Sequence, residues 1–488
     1  MISFFFYRYG VGAALAVEVI GPIDHPSDNS FPTAIQHRLF PIHSLSSSDL
    51  LLSRPLLLYV VHVQFKSWPH VSGQWVEWVE RLQPYFGEQW KSEGLWNLVE
   101  MSKVGMSKQS SLFDCMLQFW SPSSNAFLFS WGPMSPTLYD VYLFTGLPLV
   151  GPDSPYLIDD PSAPKLAPLR YFFPSYQEVV KQYKACPDVP SVTEHVMFLW
   201  VLVCQYLFCP ISGKPSAEYL PLACSLSTGR IYNLGAMLLG SFYQGMNSCV
   251  ANNPLSRLGG VAWLLQVKAA AYFSKIFSFP TSCGSLSITV LMQGQLSLSV
   301  VEFIEYLQTR TFDDLTSPPK PHIGSFDQPW TACPRFKDET RETIFDTLLT
   351  ACVHHRFLII DCTGARPSVV VRANISWSFE FYNPALLSRQ FGLSQVIPHS
   401  ALYYPMDISH LGSEVESGRF SKATVQLLSV VPSLFLNPIQ VCAPEDVSSF
   451  VAWWPSRCAV LAPTFKYPSG SLLPFVYLFV SLNAFYWF

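Results

Sequence analysis

Hydrophobic positions become regular near Trp68. In "SGQWVEWVERLQP", Trp75, Trp78 and Leu82 share one face at helical spacing, and Pro84 is expected to end that helix. Leu95, Leu98 and Val99 repeat the pattern. "SSLFDCMLQFW" reads as a further helix entered at Ser110 or Ser111 and closed by "SPSSN". "FLFSW" is a strand-like aromatic run that "GPMSP" breaks. Thr137 and Asp140 then have capping-box spacing for the helix "LYDVYLF". Gly146 is placed as its left-handed cap, and Pro148 forbids continuation. These rules make Thr137, Asp140 and Gly146 folding punctuation instead of a phosphate loop or a catalytic acid.

Farther on, "SVTEHVMFLWVLVCQYLFC" is a strongly apolar helix entered near Ser191 or Thr193, with Glu194 in its first turn and Pro210 at its end. Its uncharged run is short for a membrane span, so it is expected in a core. "NLGAMLLGSFYQGM" and "GGVAWLLQVKAAAYF" are helices whose small residues permit close packing, and "RFLIID" and "ISWSFEFYNP" are strand candidates. The fold class predicted is mainly α: a multi-helix globular domain with a few short β-strands.

Loop-forming clusters set the boundaries. Residues 1–66 form an irregular N-terminal extension with "HPSDNSFP" and "HSLSSSD". The main domain spans 67–405: an N-terminal half over 67–150, a Pro-rich linker over 151–175 and a C-terminal half over 176–405 that includes a polar stretch from Leu315 to Pro334. A C-terminal extension (406–470) and an apolar tail (471–488) follow. "MISFFFYRYGVGAALAVEVIG" is a poor secretion signal, because its aromatics precede the only Arg and Glu18 interrupts the run. The tail "SLLPFVYLFVSLNAFYWF" is uncharged and just long enough to span a bilayer, but Pro474, Ser481 and Asn483 weaken it. Its readings are a membrane anchor, a buried terminal segment or a spurious exon end.

Composition narrows the function classes. Charged residues are 13% of the 488, about half the usual ~25%. Thirty Lys and Arg stand against 34 Asp and Glu, with no dense basic run, so the stripe of a duplex-binding module is missing. The twelve cysteines are scattered singly, as buried reduced thiols of an intracellular protein would be.

Motifs for chemistry are weak. No G-x-x-x-x-G-K-[ST] loop and no G-x-S-x-G elbow occurs. "GVGAAL" has Leu15 where a dinucleotide loop needs its third glycine. Cys352, His354 and Cys362 lack zinc-knuckle spacing, and Cys204 and Cys209, five apart in a helix, are expected on different faces. His195 beside Glu194 and Asp361 at a strand end could serve acid–base chemistry. A cap or a satisfied edge residue is the better reading of each. Asp313, Asp314, Glu302 and Glu305 look like solvated positions. Lys214 and Lys268 stand near apolar helices without the glycine-rich cup of a pyridoxal phosphate site. The prediction is therefore no catalytic, cofactor-binding or metal residue, and no cofactor.

The order of segments is distinctive. "WVERLQPYFGEQWKSEGLWNLVEMS", "SLFDCMLQFWSPSSNAFLFSWGPMSPTLYDVYLFTGLPLVG", "EHVMFLWVLVCQYLFCP", "EYLPLACSLSTGRIYNLGAMLLGSFYQGM" and "FEFYNPALLSRQFGLSQVIP" together resemble the plant mobile domain family, also labelled aminotransferase-like. The resemblance covers about residues 68–400. Its sharpest piece matches Phe127–Trp131, Gly132, Thr137–Val141 and Gly146–Pro148. The chain departs from the pattern at Pro133 and Met134, where the family often carries an acidic residue.

The resemblance implies a non-catalytic nuclear protein-interaction module linked to transposon silencing, genome stability and meristem development, or one carried by a mobile element. It implies protein partners, among them a phosphoprotein-phosphatase-like nuclear protein, and no direct sequence-specific nucleic-acid binding. The alternative function is a catalytic domain, either a pyridoxal-type transferase or a metal-dependent nuclease of transposase type. The alternative location is a membrane held through the 471–488 tail.

Overall fold

A computed structural model of the chain describes residues 67–121, 124–129, 131–149, 175–184, 189–210, 214–251, 261–280 and 288–309, with shorter pieces at 2–7, 14–19, 64–65, 257–258, 357–361, 377–382, 387, 390, 450 and 452–454. The linker between the two halves, the stretch from Leu315 to Pro334, Cys352, His354 and the 471–488 tail lie outside the described residues.

Where the sequence predicts irregular chain, β1 (Ile2–Tyr7) and β2 (Ala14–Val19) pair antiparallel, Ile2 opposite Val19. The aromatic and β-branched content of both runs favours strands over loop. β3 (Gln64–Phe65) leads into α1 (Gly73–Ser92), which Ser72 caps by accepting from the Trp75 amide. This helix corrects the sequence reading: it runs through Pro84. Pro84, Tyr85 and Glu80 are all exposed, so the Glu80 carbonyl freed by the missing proline N–H faces water. On the other face Trp75, Trp78, Val79, Leu82 and Trp90 are buried, and that packing outweighs the ~3 kcal/mol proline cost.

Two short helices follow, α2 (Trp96–Ser102) and α3 (Ser110–Met116). Gln109 occupies the cap position of α3 without a side-chain cap bond, so neither Ser110 nor Ser111 is the entry residue. β4 (Trp120–Ser121), β5 (Ala126–Phe129) and β6 (Gly132–Met134) form an antiparallel sheet with Trp120 opposite Phe127 and Phe127 opposite Met134. All of its residues are buried. α4 (Leu138–Thr145) leaves this sheet and is buried along its whole length.

The second half opens on α5 (Tyr176–Lys184) and α6 (Val192–Val201), the latter capped by Ser191. α6 continues as a π-helical turn over Leu202–Phe208 and ends at Cys209 with φ 44°. Cys204 lies within that wider i→i+5 turn and Cys209 caps it, so the regular α-helical spacing does not run between them. The five described cysteines, Cys115, Cys204, Cys209, Cys224 and Cys249, are buried and form no disulfide.

α7 (Leu220–Leu226), α8 (Leu234–Ala251), β7 (Arg257–Leu258), α9 (Ala262–Tyr272), β8 (Phe277–Ser278), α10 (Ile288–Gln293), β9 (Gln295–Leu296) and α11 (Val300–Thr309) complete the continuous part. Glu302 and Glu305 on α11 are exposed, as the sequence predicts. The hairpin of β10 (Phe357–Asp361) and β11 (Trp377–Phe381) packs on α8. Among the described residues helices thus dominate, with only short strands between them, as the apolar periodicity predicts.

One core joins the helices and the β4–β6 sheet. Trp75 stacks on Phe198 at 5.0 Å and 4°, Trp90 lies 4.9 Å from the same ring, and Trp78 stacks on Tyr183 at 5.8 Å. Such ring pairs add about 0.5–1.5 kcal/mol each beyond area burial. They fasten α1 to α5 and α6. Among the described residues no helix is long and apolar enough to cross a membrane.

Candidate functional site

The capping box at the start of α4 forms as the sequence predicts. Asp140 N–H donates to Thr137 Oγ1 at 3.1 Å, and Thr137 N–H donates to Asp140 Oδ2 at 2.8 Å. At the other end Gly146 has φ 67° and its N–H donates to the Tyr142 carbonyl at 2.8 Å. A Cβ there would lie 2.6 Å from Asn97 Nδ2. Gly146→Val therefore combines a left-handed backbone, costing a β-branched residue about 1–2 kcal/mol, with a clash. A urea midpoint that stays at the wild-type value would refute this.

Punctuation is only part of the role of Asp140. Its side chain is fully buried and is met by two residues of α9. Lys268 Nζ donates to Oδ2 at 2.7 Å, and the Tyr272 hydroxyl donates to Oδ1 at 2.6 Å. The Thr137 hydroxyl adds a third donor to Oδ2 at 2.8 Å. Lys268 and Tyr272 are four apart, so one face of α9 presents both to the same carboxylate. The ammonium also lies 3.8 Å from the Tyr272 ring centroid.

Burial pushes the Lys268 ammonium down to about 8, against the pull of Asp140. Burial also raises the Tyr272 phenol well above its usual value, and the Asp140 charge adds to this. A lysine at about 8 keeps some neutral amine at neutral pH, which a carbonyl-attacking nucleophile needs. Here that amine is 1% exposed and faces a carboxylate.

Around this centre the polar groups interlock. The Leu138 amide reaches the Tyr382 hydroxyl at 3.4 Å, and the Tyr243 hydroxyl donates to the Pro136 carbonyl at 2.7 Å. The Gln390 side chain pairs with the Ser135 backbone in both directions, 2.8 Å each way.

Glu194 and His195 sit elsewhere, at the joint of α1 and α6. Glu194 accepts from Trp78 Nε1 at 2.8 Å and is paired with Arg81. His195 Nε2 accepts from Trp90 Nε1 at 3.0 Å, and its ring stacks 3.8 Å from Phe86. Burial holds His195 down at about 3, so it is a neutral acceptor at physiological pH. Lys214 is exposed, and its carbonyl accepts from Tyr176. Asp361 ends β10, as the sequence predicts. The structure does not bring Glu194, His195, Lys214 and Lys268 together.

Sequence reasoning passed over Glu93. It is 2% exposed, Oε1 accepts from Gln89 Nε2 at 2.6 Å, and Oε2 has no partner. Burial pushes this carboxyl up to about 8 from 4.5. The folded value exceeds the unfolded one, so the stabilising contribution is complete below about 4.5 and is lost as pH rises through about 8. Glu93→Gln should flatten the stability profile across that window in denaturation measured pH by pH. An unchanged slope would contradict the assignment.

A mainly α domain that locks a buried lysine–aspartate pair onto a capped, wholly buried helix is the class this geometry defines. Within it, residues 94–285 match the family model of the plant mobile domain. The match encloses Asp140, Lys268 and Tyr272 but leaves out α1 and the β10–β11 hairpin. No curated protein and no solved structure matches the chain.

Proposed function

We propose that the chain is a non-catalytic protein-interaction module of the plant mobile domain type. It would work in the nucleus in transposon silencing, genome stability or meristem development, or be carried by a mobile element. The observation that supports this reading best is the state of Lys268. The residue with the properties of a nucleophile is enclosed and spent on Asp140 and Tyr272, as a structural ion pair is.

Tyr85, Val189 and Val192 are large apolar side chains exposed by 56%, 73% and 60%, which suits contact with protein partners. The charge balance of −4 does not supply the phosphate neutralisation of a duplex binder. A phosphoprotein-phosphatase-like nuclear protein is the partner that the family resemblance puts forward.

Proximity labelling of a tagged copy in plant cells tests the reading. Stable nuclear protein partners are expected, with DNA association lost when those partners are removed. Tight, salt-sensitive DNA binding by the purified chain alone, or a membrane signal abolished by deleting residues 471–488, would overturn it. The catalytic alternative draws on Lys268 and its lowered proton affinity. It predicts an absorbance band with pyridoxal phosphate that disappears in Lys268→Met, and the interaction reading predicts no such band.

A further inference from the structure

We propose that the β10–β11 hairpin, together with the Gln390 and Trp454 segments, forms a releasable strap over the β4–β6 sheet, keyed by Glu380. The strap meets the domain at four separate points. Glu380 Oε2 accepts from Asn125 Nδ2 at 3.1 Å and from Asn247 Nδ2 at 2.9 Å. The Tyr382 hydroxyl receives the first amide of α4, Gln390 clasps the Ser135 backbone, and Trp454 Nε1 donates to the Phe129 carbonyl at 3.0 Å. The hairpin also packs on α8, and Tyr382, Leu387, Phe450 and Trp454 add buried apolar contact with the core, all of it from outside the family match over 94–285.

The Glu380 joint differs in kind from the other three. Its donors belong to a neutral network: Asn247 also donates to Asn125 Oδ1 at 2.8 Å, and Trp120 Nε1 donates to Asn247 Oδ1 at 2.7 Å. No cation among the described residues offsets the Glu380 charge. Glu380 as a residue keeps some exposure, but its carboxyl end is dehydrated.

The titratable groups of α8, the helix it packs on, do not supply a counter-charge either. Tyr243 on α8 is held protonated by burial, with the Asp140 and Glu380 charges adding to this, and burial pushes Cys249 on the same helix up to about 12. Within the hairpin, Leu358 sits opposite Glu380, while Asp361 sits at the far end of the ladder opposite Trp377. Docking therefore takes a carboxyl out of water and gives it two amide donors but no positive charge.

Burial pushes Glu380 up to about 7 from 4.5, with the two asparagine bonds opposing the shift. The docked value is raised above the free one, so docking is at full strength below about 4.5 and weakens as pH rises through about 7. Between about pH 6 and about pH 8 that linkage weakens docking roughly tenfold. The weakening falls on the strap, not on the tryptophan core of α1 and α6, which Glu380 does not touch.

Hydrogen exchange of the full chain, followed by mass spectrometry and corrected for intrinsic rates, tests this. Peptides covering Asn125–Leu138 should be protected about tenfold less at about pH 8 than at about pH 6. Those of α1 and α6 should hold level. Glu380→Gln, which keeps the shape and removes the charge, should make the Asn125–Leu138 profile flat. Gln390→Ala keeps the Glu380 joint and should lower protection around Ser135 at every pH. The proposal fails if Glu380→Gln follows the wild-type pH response, if α1 and α6 lose protection in parallel with the sheet, or if Gln390→Ala leaves Ser135 as protected as before.

Discussion

Lys268→Met should cost about 3–5 kcal/mol of unfolding free energy, because it strips the cation from a fully buried carboxylate. Methionine fills the volume of the lysine stem, so the loss measures charge and not a cavity. Thr137 and Tyr272 still donate to Asp140, but neither supplies a counter-charge. The combined variant Asp140→Asn, Lys268→Met removes both charges and should recover more than half of the loss, since replacing a whole buried pair is often near neutral. Urea unfolding of the four proteins of this cycle yields the coupling between the two residues. A single-variant cost below about 1 kcal/mol would mean that the pair does not hold α4 to α9.

Trp78→Ala has the second large effect expected, about 3–5 kcal/mol. The indole is completely buried between Trp75, Phe198 and Tyr183, and its N–H is one of the donors to Glu194. Truncation leaves a cavity beside a buried carboxylate that has lost a bond. Trp78→Phe keeps a ring against Tyr183 and loses the bond, so it should cost clearly less. Equal costs for the two variants would assign the whole effect to the hydrogen bond and none to packing.

Local rules made much of the architecture legible. Thr137, Asp140 and Gly146 could be placed from spacing because caps depend on neighbours three or four residues away. Ser191 was readable for the same reason. Pro84 misled because the rule that proline ends helices is silent about which face the proline occupies. On a solvent face the lost bond is replaced by water, and three buried tryptophans carry the helix past it.

The site was legible only in part. The sequence placed Lys268, like Lys214, only near an apolar helix without the cup of a pyridoxal phosphate site, although a charge within such a helix requires a buried counter-ion. Spacing could not name a partner 128 residues away. Glu93 gave no signal at all, since a glutamate after an amphipathic helix reads as solvated. Its burial depends on how Gln89 meets the Leu226 and Ser227 carbonyls, a purely tertiary event. The same holds for Glu380, Asn125 and Asn247.

The first helix has a practical consequence for anyone who would trim this protein to its family boundaries. A fragment beginning at Gly94 would lack Trp75, Trp78 and Trp90, and the rings they cover on Phe198, Tyr183 and His195 would face water. Glu194 would lose both Trp78 and Arg81. An open apolar surface of that kind is covered by self-association, so the shortened chain should precipitate or pellet on expression. A fragment that starts ahead of Ser72, and so keeps the cap of α1, should stay in solution.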